Sequence, residues 1–175
     1  MAHAPDDRDL MVRARDGQRD AFVLLVHRHQ APLLNFFRRM GVYTDAEDMV
    51  QETFLRLFAA RERYRPTAKF TTFLYTIARR VRADRLRKSM RAPAYVAATE
   101  SAAASEGDES DRAADRLDVQ RALDGLSEKL RAVVVLSAYQ GLRYAEIAAI
   151  LGIPEGTVKS RMSLAMGQLR EILDV

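Results

Sequence analysis

The chain has 175 residues, 28 Lys and Arg against 24 Asp and Glu, a formal net charge of +4, three histidines and no cysteine. That length suits one domain or two small ones around a modest core, and the missing cysteines exclude disulfides, thiolate zinc sites and iron–sulfur clusters. His27 and His29 stand two apart, on different sides of a helix, so no metal site is expected of them; apolar runs such as 132–136 are far too short for a bilayer, so no membrane insertion is expected and the chain is expected to stay in the cytoplasm.

A short helix is predicted over 6–16, stopped by Gly17. A second begins near Asp20 as its cap and carries Phe22, Leu25, Val26 and, past a kink at Pro32, Leu33, Phe36 and Phe37, until Gly41 ends it. The third opens on a capping box of Thr44 and Glu47 and runs to about Arg63. Its core side holds Met49, Val50, Thr53, Phe54 and Leu57, and its other side Asp45, Asp48, Gln51 and Glu52 with Leu55 one turn on. That acidic face is either a docking patch for a basic partner or a solvated surface with a scattered leucine, and helical arithmetic leaves both open.

Between Arg63 and Thr72, Pro66 breaks the helix and aromatic residues alternate with basic ones. Tyr64, Phe70 and Phe73 can stack on unpaired bases while Arg63, Arg65 and Lys69 approach a phosphate backbone. The next helix, 73–88, concentrates positive charge in Arg79, Arg80, Arg82, Arg85, Arg87 and Lys88. Such a run repels itself unless anions lie alongside, which points to nucleic acid. Asp84 falls on the buried stripe of Phe73, Ile77 and Val81 and is expected to pair with an arginine as a structural group.

Residues 90–117 lose apolar periodicity and read as an acidic, flexible linker. Its relaxed span is about 30 Å and its extended reach about 95 Å. Two halves joined this way reach DNA sites two helical turns apart, roughly 70 Å, only if a third body holds the linker stretched.

After it come a short helix over 117–126 and another capped by Ser127, carrying Leu130, Val133, Val134 and Tyr139 up to Gly141. Residues 144–170 read as a helix-turn-helix. Ile147 and Leu151 lie one turn apart, Gly152 suits a left-handed stop and Pro154 the opening of the next helix. Val158, Met162, Ala165, Met166 and Leu169 then form an apolar stripe, opposite the small, polar Gly156, Ser160, Ser163 and Gly167 flanked by Thr157, Lys159 and Arg161. A surface of that size enters a major groove without clashing. The tight turn, short helices and small basic face together favour this reading over a merely solvated helical hairpin. The chain is thus expected to be all-α: a first domain over 1–89, the linker over 90–117 and a second domain over 118–175. No arrangement of nucleophile, base and orienting group is visible, so no catalytic residue or cofactor is expected.

Three stretches in order, DAEDMVQETFLRL at 45–57, IARRVRADRLRK at 77–88 and YAEIAAILGIPEGTVKSRMSLAMGQLR at 144–170, resemble the extracytoplasmic-function (ECF) type of bacterial sigma factor in the sigma-70 family. The resemblance covers nearly the whole chain apart from the linker. It implies a transcription initiation factor that gives core RNA polymerase its promoter specificity, with sigma regions 2 and 4 on either side of the linker. The family docks its acidic helix on a coiled coil of the polymerase beta-prime subunit, here through Asp48, Gln51, Glu52 and Leu55. The minus-10 element would meet Tyr64, Lys69, Phe70, Phe73, Arg79, Arg80, Arg82 and Arg85, and the minus-35 element Glu155, Gly156, Thr157, Lys159, Ser160 and Arg161. Phe73 stands where the family often has tryptophan, keeping the stacking surface without the indole donor, and Arg80 where asparagine is common. The resemblance further implies an anti-sigma partner and a monomer when free. A regulator working without polymerase would leave the acidic face and aromatic loop without a task. A sigma mimic that only occupies an anti-sigma factor would have no use for cations in both DNA-facing helices.

Overall fold

The structure, a computed structural model, describes residues 5–91 and 110–173. Among these, every regular element is helical. Asp6 caps α1 (Asp7–Arg15), its carboxylate accepting the Asp9 amide at 2.8 Å, and the helix buries Leu10, Met11 and Ala14 against α2 (Arg19–Arg39). The cap of α2 differs from expectation: Gln18 stands there without a side-chain cap bond, its amide oxygen instead accepting from Arg13 at 2.7 Å, and Asp20 lies inside the first turn. Pro32 lies within this helix, which continues to Arg39. Gly41 follows with φ of 82°, a conformation that only glycine takes without strain, and Arg131 of the second half packs directly over it.

The expected Thr44 and Glu47 capping box is absent. α3 (Ala46–Ala59) starts after Asp45 with no side-chain cap, and Glu47 instead meets Arg38 at 2.7 Å. The helix also stops earlier than Arg63, and a 3₁₀ turn over Arg61–Arg63 follows. Its core face is as its spacing predicts, with Met49, Thr53, Phe54 and Leu57 buried and Val50 half-buried. Thr53 is accommodated there because its hydroxyl donates to the Met49 carbonyl at 2.6 Å.

α4 (Phe70–Arg91) starts one turn before the expected Phe73 and buries Phe70, Leu74, Tyr75, Ile77, Ala78 and Val81. It packs on α3 along one side and on α7 (Tyr144–Leu151) along another. The middle of the predicted linker lies outside the described residues. Both its ends are helical: Met90 and Arg91 close α4, and α5 (Ser110–Gly125) starts well before Leu117.

Ser127 caps α6 (Glu128–Val134), accepting the Leu130 amide at 3.4 Å, and the chain runs on through a π-helical turn, Val135–Tyr139, that helical spacing alone does not reveal. Gly152 ends α7 at φ 66° and ψ 38°, the left-handed stop expected of it. α8 (Glu155–Leu173) then packs on α5, α6 and α7 through Val158 and Ala165, with Met162 and Leu169 half-buried; Met166, predicted on this stripe, is exposed. The buried side chains of both halves join into one continuous cluster.

Leu57 and Leu55 lie on opposite sides of α3, one fully buried and the other 67% exposed. Leu57→Ala is expected to cost about 2–5 kcal/mol by leaving a cavity in the core, whereas Leu55→Ser stays within about 0.5 kcal/mol. Urea unfolding of the two variants beside the parent checks this, and similar costs would place Leu55 in the core.

Candidate nucleic-acid and protein interfaces

The acidic side of α3 lines a groove of about 360 Å³ against α4. Asp48, Gln51, Glu52 and Leu55 form one wall and Arg56, Val81, Asp84, Arg85 and Lys88 complete it, so the structure brings the four expected docking residues together. The face is less purely acidic than helical spacing implies. Arg56, four residues after Glu52, holds Glu52 at 2.7 Å and reaches across to Asp84 at 2.6 Å. Arg87 takes the other Asp84 oxygen, and Arg85 meets Asp45 at 2.8 Å. These pairs leave Asp48, Gln51 and Leu55 exposed above a rim of both signs. The bond from Arg56, joined by that from Arg87, holds the Asp84 carboxyl below the usual carboxylate range, and Asp84 in turn raises Arg56.

The residues expected to meet unpaired bases divide into two sets. Tyr64 and Phe70 are 1% and 3% exposed, so in this structure neither ring is open to a base. The Tyr64 ring lies 5.4 Å from that of Phe73, and burial pushes its hydroxyl up. The Phe70 ring lies 5.0 Å from that of His29 at a tilt of 53°, and His29 Nε2 meets Asp7 at 2.8 Å. The two rings therefore shape the loop from beneath, and among the three aromatics only Phe73 keeps part of its surface in solvent. Lys69, Arg79, Arg80 and Arg85 are exposed as expected. Arg82 is turned inward: its side chain is 12% exposed and bonds Glu128 of α6 at 2.6 Å and the Met40 carbonyl at 3.1 Å.

On α8, Glu155, Gly156, Lys159 and Ser160 are exposed and Thr157 and Arg161 half-buried. A Cβ added at Gly156 or Gly167 would meet nothing within 4 Å, so the backbone itself forms part of this surface. Arg161 points to a cleft of about 640 Å³ between the halves, where Arg79, Arg82 and Lys129 also lie around an apolar floor that includes Phe36, Met40 and Leu136. Sequence reasoning does not single out Lys129 or the acids Glu128 and Glu146; Glu128 and Lys129 follow the cap Ser127 as an unremarkable charged turn. Among the described residues no group of His, Asp and Glu is placed to hold a metal ion, and no helix is long and apolar enough to cross a membrane.

Comparison with known proteins covers both halves. The model of sigma-70 region 2 matches residues 25–92, and that of sigma-70, region 4 matches residues 116–169. The chain is 40% identical over 151 residues to the ECF RNA polymerase sigma factor SigL of Mycobacterium tuberculosis, covering 83% of this chain and 85% of that protein. Its fold is similar to CnrH, solved in complex with the cytosolic domain of CnrY, with a TM-score of 0.76 and 28% identity over 96% of this chain and 97% of that one. It is also similar to the sigma factor RpoE of Bartonella quintana, solved with the anti-sigma factor NepR, with a TM-score of 0.68 and 28% identity over 92% and 98% of the two chains.

Asp84 supplies a pH test. Because its folded-state pKa is depressed, its contribution to stability is complete above the ordinary carboxylate range and is lost as pH falls through the lowered value. Asp84→Asn should therefore be less stable than the parent at pH 7, with the gap closing below about pH 4. Urea midpoints followed from pH 7 to pH 2 check this; a gap that stays constant would mean the Arg56 pair is not its source.

Proposed function

The chain belongs to the sigma-70 family, in its ECF class, and so directs RNA polymerase to promoters in transcription initiation; on that premise we propose how its surfaces share the work. The groove wall of Asp48, Gln51, Glu52 and Leu55 docks on the basic face of the core polymerase's beta-prime coiled coil. The observation that carries this is Leu55, 67% exposed within a groove whose rim carries both carboxylates and cations, because an apolar anchor inside a charged rim is the usual anatomy of a docking site.

Phe73, Lys69, Arg79, Arg80 and Arg85 then hold the opened minus-10 strand, with Arg82 joining once it is free of Glu128, while Tyr64 and Phe70 support the loop. The exposed start of α8, with Gly156, Lys159 and Ser160 foremost, reads the minus-35 element; Thr157 and Arg161 flank it and Glu155 sits at its opening turn. The domains of this division are 1–89 and 118–175. The chain itself performs no covalent chemistry and works in the cytoplasm. An anti-sigma partner is part of the proposal, supported by the complex in which the Bartonella relative was solved.

Run-off transcription with purified core polymerase on a pool of promoter fragments tests the assignment as a whole. Transcripts from defined start sites that need this protein are the expected result; binding to core without such transcripts would remove the initiating role. For the docking face, Glu52→Lys with Leu55→Ser should weaken capture of core polymerase at least ten-fold without unfolding the chain, since a charge reversal and a missing anchor act together. Undiminished capture would take that face out of the assignment. For α8, replacing Lys159 and Arg161 by alanine should lower minus-35 affinity and flatten its salt dependence, the slope falling by about one for every phosphate that no longer meets a cation. A slope equal to the parent's would mean that neither touches the backbone.

A further inference from the structure

The cleft that Arg161 faces has a make-up that DNA binding does not explain. Its floor is apolar and preformed: Phe36, Met40, Leu136 and Ile150 are between 1% and 4% exposed, held in place by the core beneath them. Ala83 of α4 and Ala132 of α6, both half-buried, add apolar surface to it. Around this floor stand four cations, Arg79, Arg82, Lys129 and Arg161, against one carboxylate, Glu128.

That carboxylate is already taken. Glu128 accepts from Arg82 at 2.6 Å, and Arg82 also donates to the Met40 carbonyl at 3.1 Å. Among the described residues Arg79, Lys129 and Arg161 have neither an ion pair nor a hydrogen bond, and Arg82 Nε is buried without an acceptor. Like charges gathered around one apolar surface repel, and an anion placed among them relieves that repulsion. A phosphate backbone would meet the cations but has no use for a buried hydrocarbon floor. The volume, about 640 Å³, falls within the roughly 300–1,000 Å³ of small-molecule sites, which favour such junctions between packed halves. Ser127, the single uncharged polar side chain in the lining, is engaged in capping α6, so nothing is placed to read a heterocycle.

We infer that the cleft is a binding site for a small amphipathic anion, an acyl carboxylate whose chain lies over Phe36, Met40 and Leu136 and whose head is held by Arg79, Lys129 and Arg161. A carboxylate offers these cations the same anionic oxygen acceptors as a phosphate does, so the ligand and DNA compete for Arg79 and Arg161. The competition, though not the site, rests on the assignment of those two arginines to the promoter.

The test is calorimetry on the free full-length chain with decanoate below its micelle-forming concentration. Acetate supplies the charge without the chain, and 1-decanol the chain without the charge. The expected result is one decanoate bound per chain, with both controls at least about ten-fold weaker, because floor and cations act together. Ala83→Leu, which fills part of the cleft, and Lys129→Glu, which reverses a cation with no assigned role on DNA, should each weaken decanoate about ten-fold, while Lys129→Arg keeps the parent's affinity. Neither altered side chain belongs to the buried core, and circular dichroism of each variant checks its helical fold. In fluorescence anisotropy with a labelled mixed-sequence single-stranded DNA, saturating decanoate should lower the parent's affinity about five-fold and leave that of Ala83→Leu as it was. Absence of decanoate binding, equal binding of either control, or parent-like binding by folded Ala83→Leu and Lys129→Glu overturns the site. DNA affinity indifferent to decanoate overturns the competition. The calorimetry contains neither DNA nor polymerase, so a chain that binds decanoate yet gives no promoter transcripts loses only the initiating role, and one that gives transcripts without binding decanoate loses only this site.

Discussion

The fold depends on the burial of one stripe along α4. Phe70, Leu74, Tyr75, Ile77, Ala78 and Val81 are all withdrawn from water, and they are shared between α3 on one side and α7 on another. The helix has therefore little surface left over, and its cations are confined to the outer edges of a cylinder that is already packed. Where each arginine falls on that edge decides what it meets: Arg85 the acidic start of α3, Arg82 the second half, and Arg79 and Arg80 the solvent.

Electrostatics then follows packing. The acidic groove and the basic edge share a wall, and Arg56 joins them by holding Glu52 and Asp84 at once. A charge at that position neutralises part of the acidic face of α3 while fixing α4 beside it. The acidic groove and the basic edge are thus tied together directly by a few side chains.

The elements themselves were legible because their signals are local. Asp6, Ser127 and the left-handed glycines mark helix ends through bonds or dihedral angles spanning a few residues, and the buried positions of α3 recur with the helical period. The resemblance of three ordered stretches supplied the family. Between distant elements, the pairing of Asp84 with an arginine was legible from its place on the buried stripe, but most other features escaped. Tyr64 and Phe70 sit beside a proline-broken loop with no period to show which way they face, and α1, α2 and α4 draw them inward. The Thr44 and Glu47 pattern was present, yet Glu47 found Arg38 on a neighbouring helix. Arg82 and Glu128 are 46 positions apart, beyond anything periodicity can connect.

The π-helical turn over Val135–Tyr139 carries a consequence for how such a chain can evolve. One residue more than an α-helical turn needs is accommodated there, and each residue in a helix advances the side-chain direction by about 100°. Tyr139 and Gln140, at its end, are the residues that reach Arg39, Tyr75 and Pro32. Losing a single codon at this turn would regularise the helix and swing both side chains off the first half, while the residues of α7 and α8 kept their own spacing. The way the two halves meet is therefore adjustable by insertion or deletion, a kind of change that leaves the exposed face of α8 untouched and that substitutions alone would reach only slowly.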